Sequence, residues 1–135
     1  MKNISPSLWG PGAWTFIHFL ALAYPENPSQ EEKKNYKDFL TNLQNVLPCD
    51  RCSEHYGNNL QKYPLEEALN NSQSLFQWTV NVHNEVNKGS NKRIYSYEEA
   101  YKLYAETGTD YNDLILKIGC VLLILLVGLF IYKKK

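Results

Sequence analysis

The chain is 135 residues long and sets 14 Lys and Arg against 14 Asp and Glu, which leaves room for one small domain and a short appendage. Four lysines, Lys117, Lys133, Lys134 and Lys135, fall in a tail without acids; taking them from the 14 basic residues leaves 10 against 14 acidic ones, a net charge of −4. That balance excludes the basic footprint of a nucleic-acid binder.

Met1 to Pro6 holds no apolar run of the kind that marks a cleavable secretory signal. Pro11 suits the first turn of a helix on which Trp14, Ile17, His18, Ala21 and Leu22 recur at helical spacing, and Tyr24-Pro25 stops it. Ser29 and Glu32 offer a capping box for a second helix, with Tyr36, Phe39, Leu40, Leu43 and Leu47 along its inner face. Pro48 opens a third helix that begins with Cys49-Asp50-Arg51-Cys52. Ser72 caps a fourth, with Leu75, Phe76, Thr79, Val80, His83 and Val86 on one side and an end near Lys88-Gly89. A short fifth helix, Tyr97 to Tyr104, leads into a linker. Runs of alternating polarity that would make strands are missing. The expected class is therefore all-α, a four-helix bundle plus a short fifth helix.

Leu114 to Tyr132 is apolar apart from Lys117. At about 1.5 Å per residue such a helix nearly reaches across the roughly 30 Å of a bilayer core, so a C-terminal single-pass transmembrane helix is expected. The expected organisation is a domain over 1–105, a linker over 106–113, the span over 114–132 and a basic tail over 133–135. The missing signal leaves the domain facing the cytosol. The terminal lysines argue the other way, because basic residues prefer the cytosolic side, and the missing signal weighs more.

Cys49 and Cys52 hold all the cysteine outside the tail, where Cys120 lies. Two cysteines so spaced close a small ring that opens and closes readily, which suits disulfide exchange. At a helix start the Cys49 thiol meets the positive end of the dipole, which lowers its pKa, and Arg51 adds a cation nearby. A thioredoxin-like CxxC follows a strand of a βαβ unit, and no such strand is visible. Zinc needs four ligands, and His18, His55 and His83 lack the paired spacing, so no metal is expected. His55 is expected on a solvated face.

A dithiol that makes disulfides from oxygen needs an electron acceptor such as a flavin. Without a GxGxxG motif a dinucleotide must lie between helices. Two clusters offer such a site. Gly10, Trp14 and His18 form the first, with positions 14 and 18 on one helical face. The second is His83-Asn84-Glu85-Val86-Asn87 followed by Lys88 and Lys92. Asparagine is a mediocre helix former, so Asn81, Asn84 and Asn87 call for a reason, and hydrogen bonding to a nucleotide is one. A frayed, solvated helix end is the plainer reading for Asn81 and Lys88, and core packing for Trp14.

Together W-G-P-G-A-W-T-F-I-H at 9–18 with Tyr24-Pro25, P-C-D-R-C at 48–52 and W-T-V-N-V-H-N-E-V-N at 78–87 resemble the Erv/ALR family of FAD-linked sulfhydryl oxidases. The likeness runs over about residues 8 to 104 and is strongest to the single-domain members of large DNA viruses. It implies a helical bundle that holds FAD noncovalently and usually forms a homodimer. By motif match Cys52 is the flavin-proximal cysteine and Cys49 the interchange cysteine that substrate thiolate attacks. Gly10, Trp14, His18, His83, Asn84, Asn87 and Lys92 match FAD-contacting positions. Pro11 stands where many cellular members have Arg, Ser90-Asn91 where they have Leu-Gly, and Tyr101 and Tyr104 where a Trp is usual. The distal shuttle CxxC of cellular members is missing, so a separate dithiol-carrying protein is the expected partner and O2 the terminal acceptor. The expected placement is a single-pass protein in a membrane of an infected cell or virion. Two other readings stay open: a flavin-free disulfide reductase or isomerase, and a non-enzymatic membrane-anchored helical adaptor.

Overall fold

Pro6 opens the first helix, α1 (Pro6–Leu22), at a position where its missing N–H costs no hydrogen bond. The computed structural model describes residues 3–106, 115, 116 and 118–121. Pro11 therefore lies inside α1, beyond the start that the sequence suggests. Its ring removes the N–H that would reach the Ser7 carbonyl, and exposed Ser7 leaves that carbonyl to water. Ile17, His18 and Ala21 are buried, and Trp14 and Leu22 are half-buried.

The second helix, α2 (Gln30–Val46), starts at the expected capping box. Ser29 N donates to Glu32 Oε2 at 2.7 Å and Glu32 N donates to Ser29 Oγ at 3.2 Å. Leu40 is buried on its inner face, but Phe39 is exposed and meets Phe16 of α1 edge-on, ring centroids 6.2 Å apart. The third helix, α3 (Asp50–Lys62), begins two residues later than Pro48, with Cys49 as its N-cap. After Pro64 comes a single turn that the sequence does not announce, α4 (Leu65–Ala68), which buries Leu65 and Ala68.

The longest helix among the described residues, α5 (Ser72–Gly89), is capped by Asn71 rather than Ser72. Ser74 N donates to Asn71 Oδ1 at 2.8 Å and Asn71 N donates to Ser74 Oγ at 3.2 Å, while the Ser72 hydroxyl turns to Glu26. Leu75, Phe76, Thr79 and Val82 of α5 are almost fully enclosed. This helix packs on α1, α3 and α4, and α2 packs on α3. A short α6 (Tyr97–Tyr101) continues as a π-helical turn over Lys102–Glu106. The described chain is all-helical. It divides into two compact units, Met1–Ala100 and Tyr101–Lys135.

The expected membrane placement is corrected by these helices: among the described residues none is long and apolar enough to cross a membrane. Within the expected span 114–132, residues 115, 116 and 118–121 are helical. These pieces, 115–116 and 118–121, fall far short of the roughly 20 residues that a bilayer core requires. The rest of that span lies outside the described residues, as do most of the linker 106–113 and the tail 133–135. The single-pass placement, with a cytosol-facing domain at an infected-cell or virion membrane, falls with it.

Candidate active site

Cys49 and Cys52 are joined as a disulfide at the start of α3, their Cα atoms 5.1 Å apart. As N-cap, Cys49 accepts the Cys52 N–H on its sulfur at 3.2 Å, so one orphan donor of the first turn points at sulfur. The helix dipole acts in the same sense and stabilises negative charge on Cys49 once the pair is reduced. Both cysteines are half-buried. The segment before α1 holds this turn in place. Ile4 N donates to the Pro48 carbonyl at 2.8 Å, and the Asn3 side chain donates to Asp50 Oδ2 and accepts from Asp50 N, each at 2.9 Å. Trp9 Nε1 donates in turn to the Ile4 carbonyl at 3.2 Å.

A second cluster forms where α1 faces α5. The Trp14 and His83 rings are stacked, 4.2 Å between centroids and 5° from parallel. His18, buried one turn along from Trp14, lies 3.0 Å through Nε2 from His83 Nδ1 and 2.8 Å through Nδ1 from Thr79 Oγ1. Burial lowers the His18 pKa to about 3, helped by His83, and lowers that of His83 to about 4, helped by the positive charge of Lys92. Both rings are therefore neutral near pH 7. Trp14 and His83 are half-buried, so their stack keeps surface onto which a third planar ring can extend it.

The asparagines of α5 have partners within the fold. Asn84 Nδ2 donates to the Tyr95 carbonyl at 2.8 Å, and its Oδ1 accepts Tyr95 N at 3.1 Å. Asn87 Nδ2 donates to the Arg93 carbonyl at 3.0 Å, and its own carbonyl accepts Lys92 N at 2.9 Å. Asn91, at φ 52°, turns the chain through the left-handed region so that this return is possible. The two side chains thus pin the loop that carries Lys92. Asn81 accepts from Gln77 on the same helix at 3.2 Å. At Gly10 an added Cβ would meet no protein atom within 4 Å, so the fold itself makes no demand for glycine there.

The sequence profile of the Erv1/Alr family matches residues 11–105, a stretch that contains the disulfide, the Trp14–His83 stack and the clamped loop. The chain belongs to the Erv1/Alr family. Among its relatives is a probable FAD-linked sulfhydryl oxidase of Acanthamoeba polyphaga mimivirus, 41% identical over 107 residues that cover 78% of this chain and 75% of that protein. An FAD-linked sulfhydryl oxidase of African swine fever virus is 36% identical over 99 residues, 73% of this chain and 82% of its own. Large DNA viruses are thus represented, as the motifs suggested. The crystal structure of the yeast Erv1 core matches with a TM-score of 0.69 over 77% of this chain and 86% of that one, at 23% identity, which shows the shared fold.

Within this member of the Erv1/Alr family the residues fit a flat, hydrogen-bonding cofactor. Parallel rings supply stacking surface, neutral imidazoles supply hydrogen bonds without a charge penalty, and Lys92 supplies positive charge close to His83. The structure brings Trp14, His18 and His83, which the sequence places in two clusters, to one spot, and adds Thr79 beside His18 and Asn3 beside Asp50, which the sequence does not single out for this. Asn3 lies 47 residues from Asp50 and Thr79 lies 61 from His18. Neither pairing leaves a local pattern, and Thr79 reads only as part of a core face.

Proposed function

We propose that this protein is an FAD-dependent thiol oxidase that forms disulfide bonds in a partner dithiol protein, with the net reaction 2 R-SH + O2 to R-S-S-R + H2O2. The observation that carries it is the Cys49–Cys52 disulfide at the N-terminus of α3 in a chain of the Erv1/Alr family.

A substrate thiolate attacks Cys49 Sγ, and the bond to Cys52 breaks with the electron pair on Cys52. The second substrate thiolate then attacks the substrate sulfur of the mixed disulfide and expels Cys49 as thiolate. The Cys52 N–H that already points at Cys49 Sγ stabilises that leaving group, because it sits where the charge develops. Substrate leaves oxidised, and its two electrons remain on the cysteine pair. Bound FAD supplies the two-electron acceptor that oxygen reoxidises. Trp14 and His83 would stack against it, His18 would hold His83, Lys92 would face its negative charge, and open space at Gly10 would admit its close approach. Asn84 and Asn87 would act through the loop that they pin, positioning Lys92.

The oxidase domain comprises residues 1–105, and the match over 11–105 supports that extent. A homodimer follows from the family reading, supported by an exposed apolar face on α1 and α2. Visible flavin absorbance of the purified protein, with oxygen uptake on addition of dithiothreitol, tests the activity. Cys52→Ser should keep the flavin and lose oxygen uptake by at least about a hundredfold, nearly 3 kcal/mol of barrier, and Cys49→Ser should block transfer from protein thiols. A protein that stays colourless after refolding with FAD sinks the oxidase reading, and turnover retained in Cys52→Ser refutes the electron path.

A further inference from the structure

The buried contacts around His18 form a chain whose direction follows proton by proton. A carbonyl can only accept, so the 2.7 Å bond from Thr79 Oγ1 to the Phe76 carbonyl uses the single hydroxyl proton of Thr79. Only lone pairs of Oγ1 then remain for His18 Nδ1, 2.8 Å away, and Nδ1 must carry the hydrogen. A neutral imidazole has one N–H, so His18 Nε2 is bare and accepts from His83 Nδ1 at 3.0 Å. His83 has thereby spent its own proton on Nδ1. The reverse direction fails, since Thr79 would have to donate to His18 and would face the Phe76 carbonyl across 2.7 Å with no proton between two oxygens.

The two nitrogens of an imidazole point to opposite sides of the ring. With Nδ1 turned to buried His18, the bare Nε2 of His83 faces away from it, on the half-buried ring that stacks against Trp14. We propose that Thr79 is a positioning residue: by donating to the Phe76 carbonyl it locks His18 and His83 as Nδ1–H tautomers and presents His83 Nε2 as a hydrogen-bond acceptor for an N–H or O–H group of the flavin nucleotide. The acceptor role rests on the cofactor reading above, while the tautomer lock belongs to the protein alone.

NMR of the full chain labelled at its histidine ring nitrogens, before and after FAD is added, reads both parts. The expected result is Nδ1–H at His18 and His83 in the wild-type protein and in Thr79→Ser, already without FAD. Thr79→Val should lose that assignment and bind FAD about tenfold more weakly, the worth of roughly one hydrogen bond, with Thr79→Ser within about threefold of wild type. Thr79→Ala repeats the deletion should Thr79→Val fail to fold, and the wild-type spectrum decides the lock in either case. An Nε2–H tautomer at His83, tautomers unchanged in Thr79→Val, or changed tautomers with undiminished FAD affinity would each overturn the proposal. Wild-type protein with the expected tautomers and no affinity for FAD overturns the cofactor reading itself, and the acceptor role with it.

Discussion

Charging His18 or His83 would put a cation where solvent is largely excluded, and Lys92 already contributes positive charge beside His83. Their pKa values fall to about 3 and about 4 for that reason, against about 6.5 in an unfolded chain. Between those values the unfolded state binds more protons than the native one. The stability they contribute is fully present above about pH 6.5 and is lost as pH falls toward the folded values, on the order of 1 to 2 kcal/mol per histidine by pH 5. Carboxylates act lower. Glu85, held down to about 2 by its bonds to Lys88 and Lys62 and by the Tyr63 hydroxyl, releases its contribution only below the ordinary carboxylate range. Urea midpoints should therefore fall between pH 7 and pH 5, and His83→Asn should flatten that slope. An unchanged slope in the variant would assign the acid sensitivity to other groups.

At the scale of elements the clamp between α5 and the loop after it carries a specific cost. Asn84 satisfies both the N–H and the carbonyl of Tyr95, so Asn84→Ala leaves two backbone groups to find other partners. The expected loss is about 1–3 kcal/mol, read as a lower urea midpoint, together with faster hydrogen exchange at the Tyr95 amide than at the buried turns of α5. Exchange at Tyr95 as slow as in wild type would mean that another group holds the loop. The same clamp marks the boundary of what a sequence can tell. Ser29 and Glu32 announce their helix because capping is local, three residues wide, and α2 begins where that pattern places it. Pro6 and Pro11 are both compatible with a helix start, and α1 begins at the earlier one. The four residues of α4 are too few to show a period. For the asparagines the composition of the helix raises a question but does not show the loop, bent back through Asn91, with which Asn84 and Asn87 pair. Trp14, His18 and His83 were legible because each sits at helical spacing in its own motif. Thr79, the partner of His18, and Asn3, the partner of Asp50, are silent, because a hydrogen bond across 61 or 47 residues leaves no trace in spacing.

For the whole molecule, the exposed apolar residues of the first two helices are concentrated rather than scattered. Leu8, Phe16 and Phe19 of α1 and Phe39 and Val46 of α2 keep 79%, 54%, 45%, 40% and 60% of their surface. The edge-on contact of Phe16 with Phe39 joins the two helices' contributions into one patch. A patch of this kind marks an interaction surface, and a second copy of the chain would cover it with the same residues across a two-fold axis. Phe16→Glu would bring two like charges toward that axis inside an apolar contact, and each would lose water without gaining a partner. The dimer dissociation constant should rise at least a hundredfold, about 3 kcal/mol, as read by sedimentation equilibrium. FAD content should be unchanged, because Trp14, His18 and His83 meet within one copy. Wild-type protein that sediments as a monomer at tens of micromolar, a range set by ordinary association energies, would remove the homodimer from the proposed function. A Phe16→Glu dimer as tight as the wild type would instead move the interface off this face.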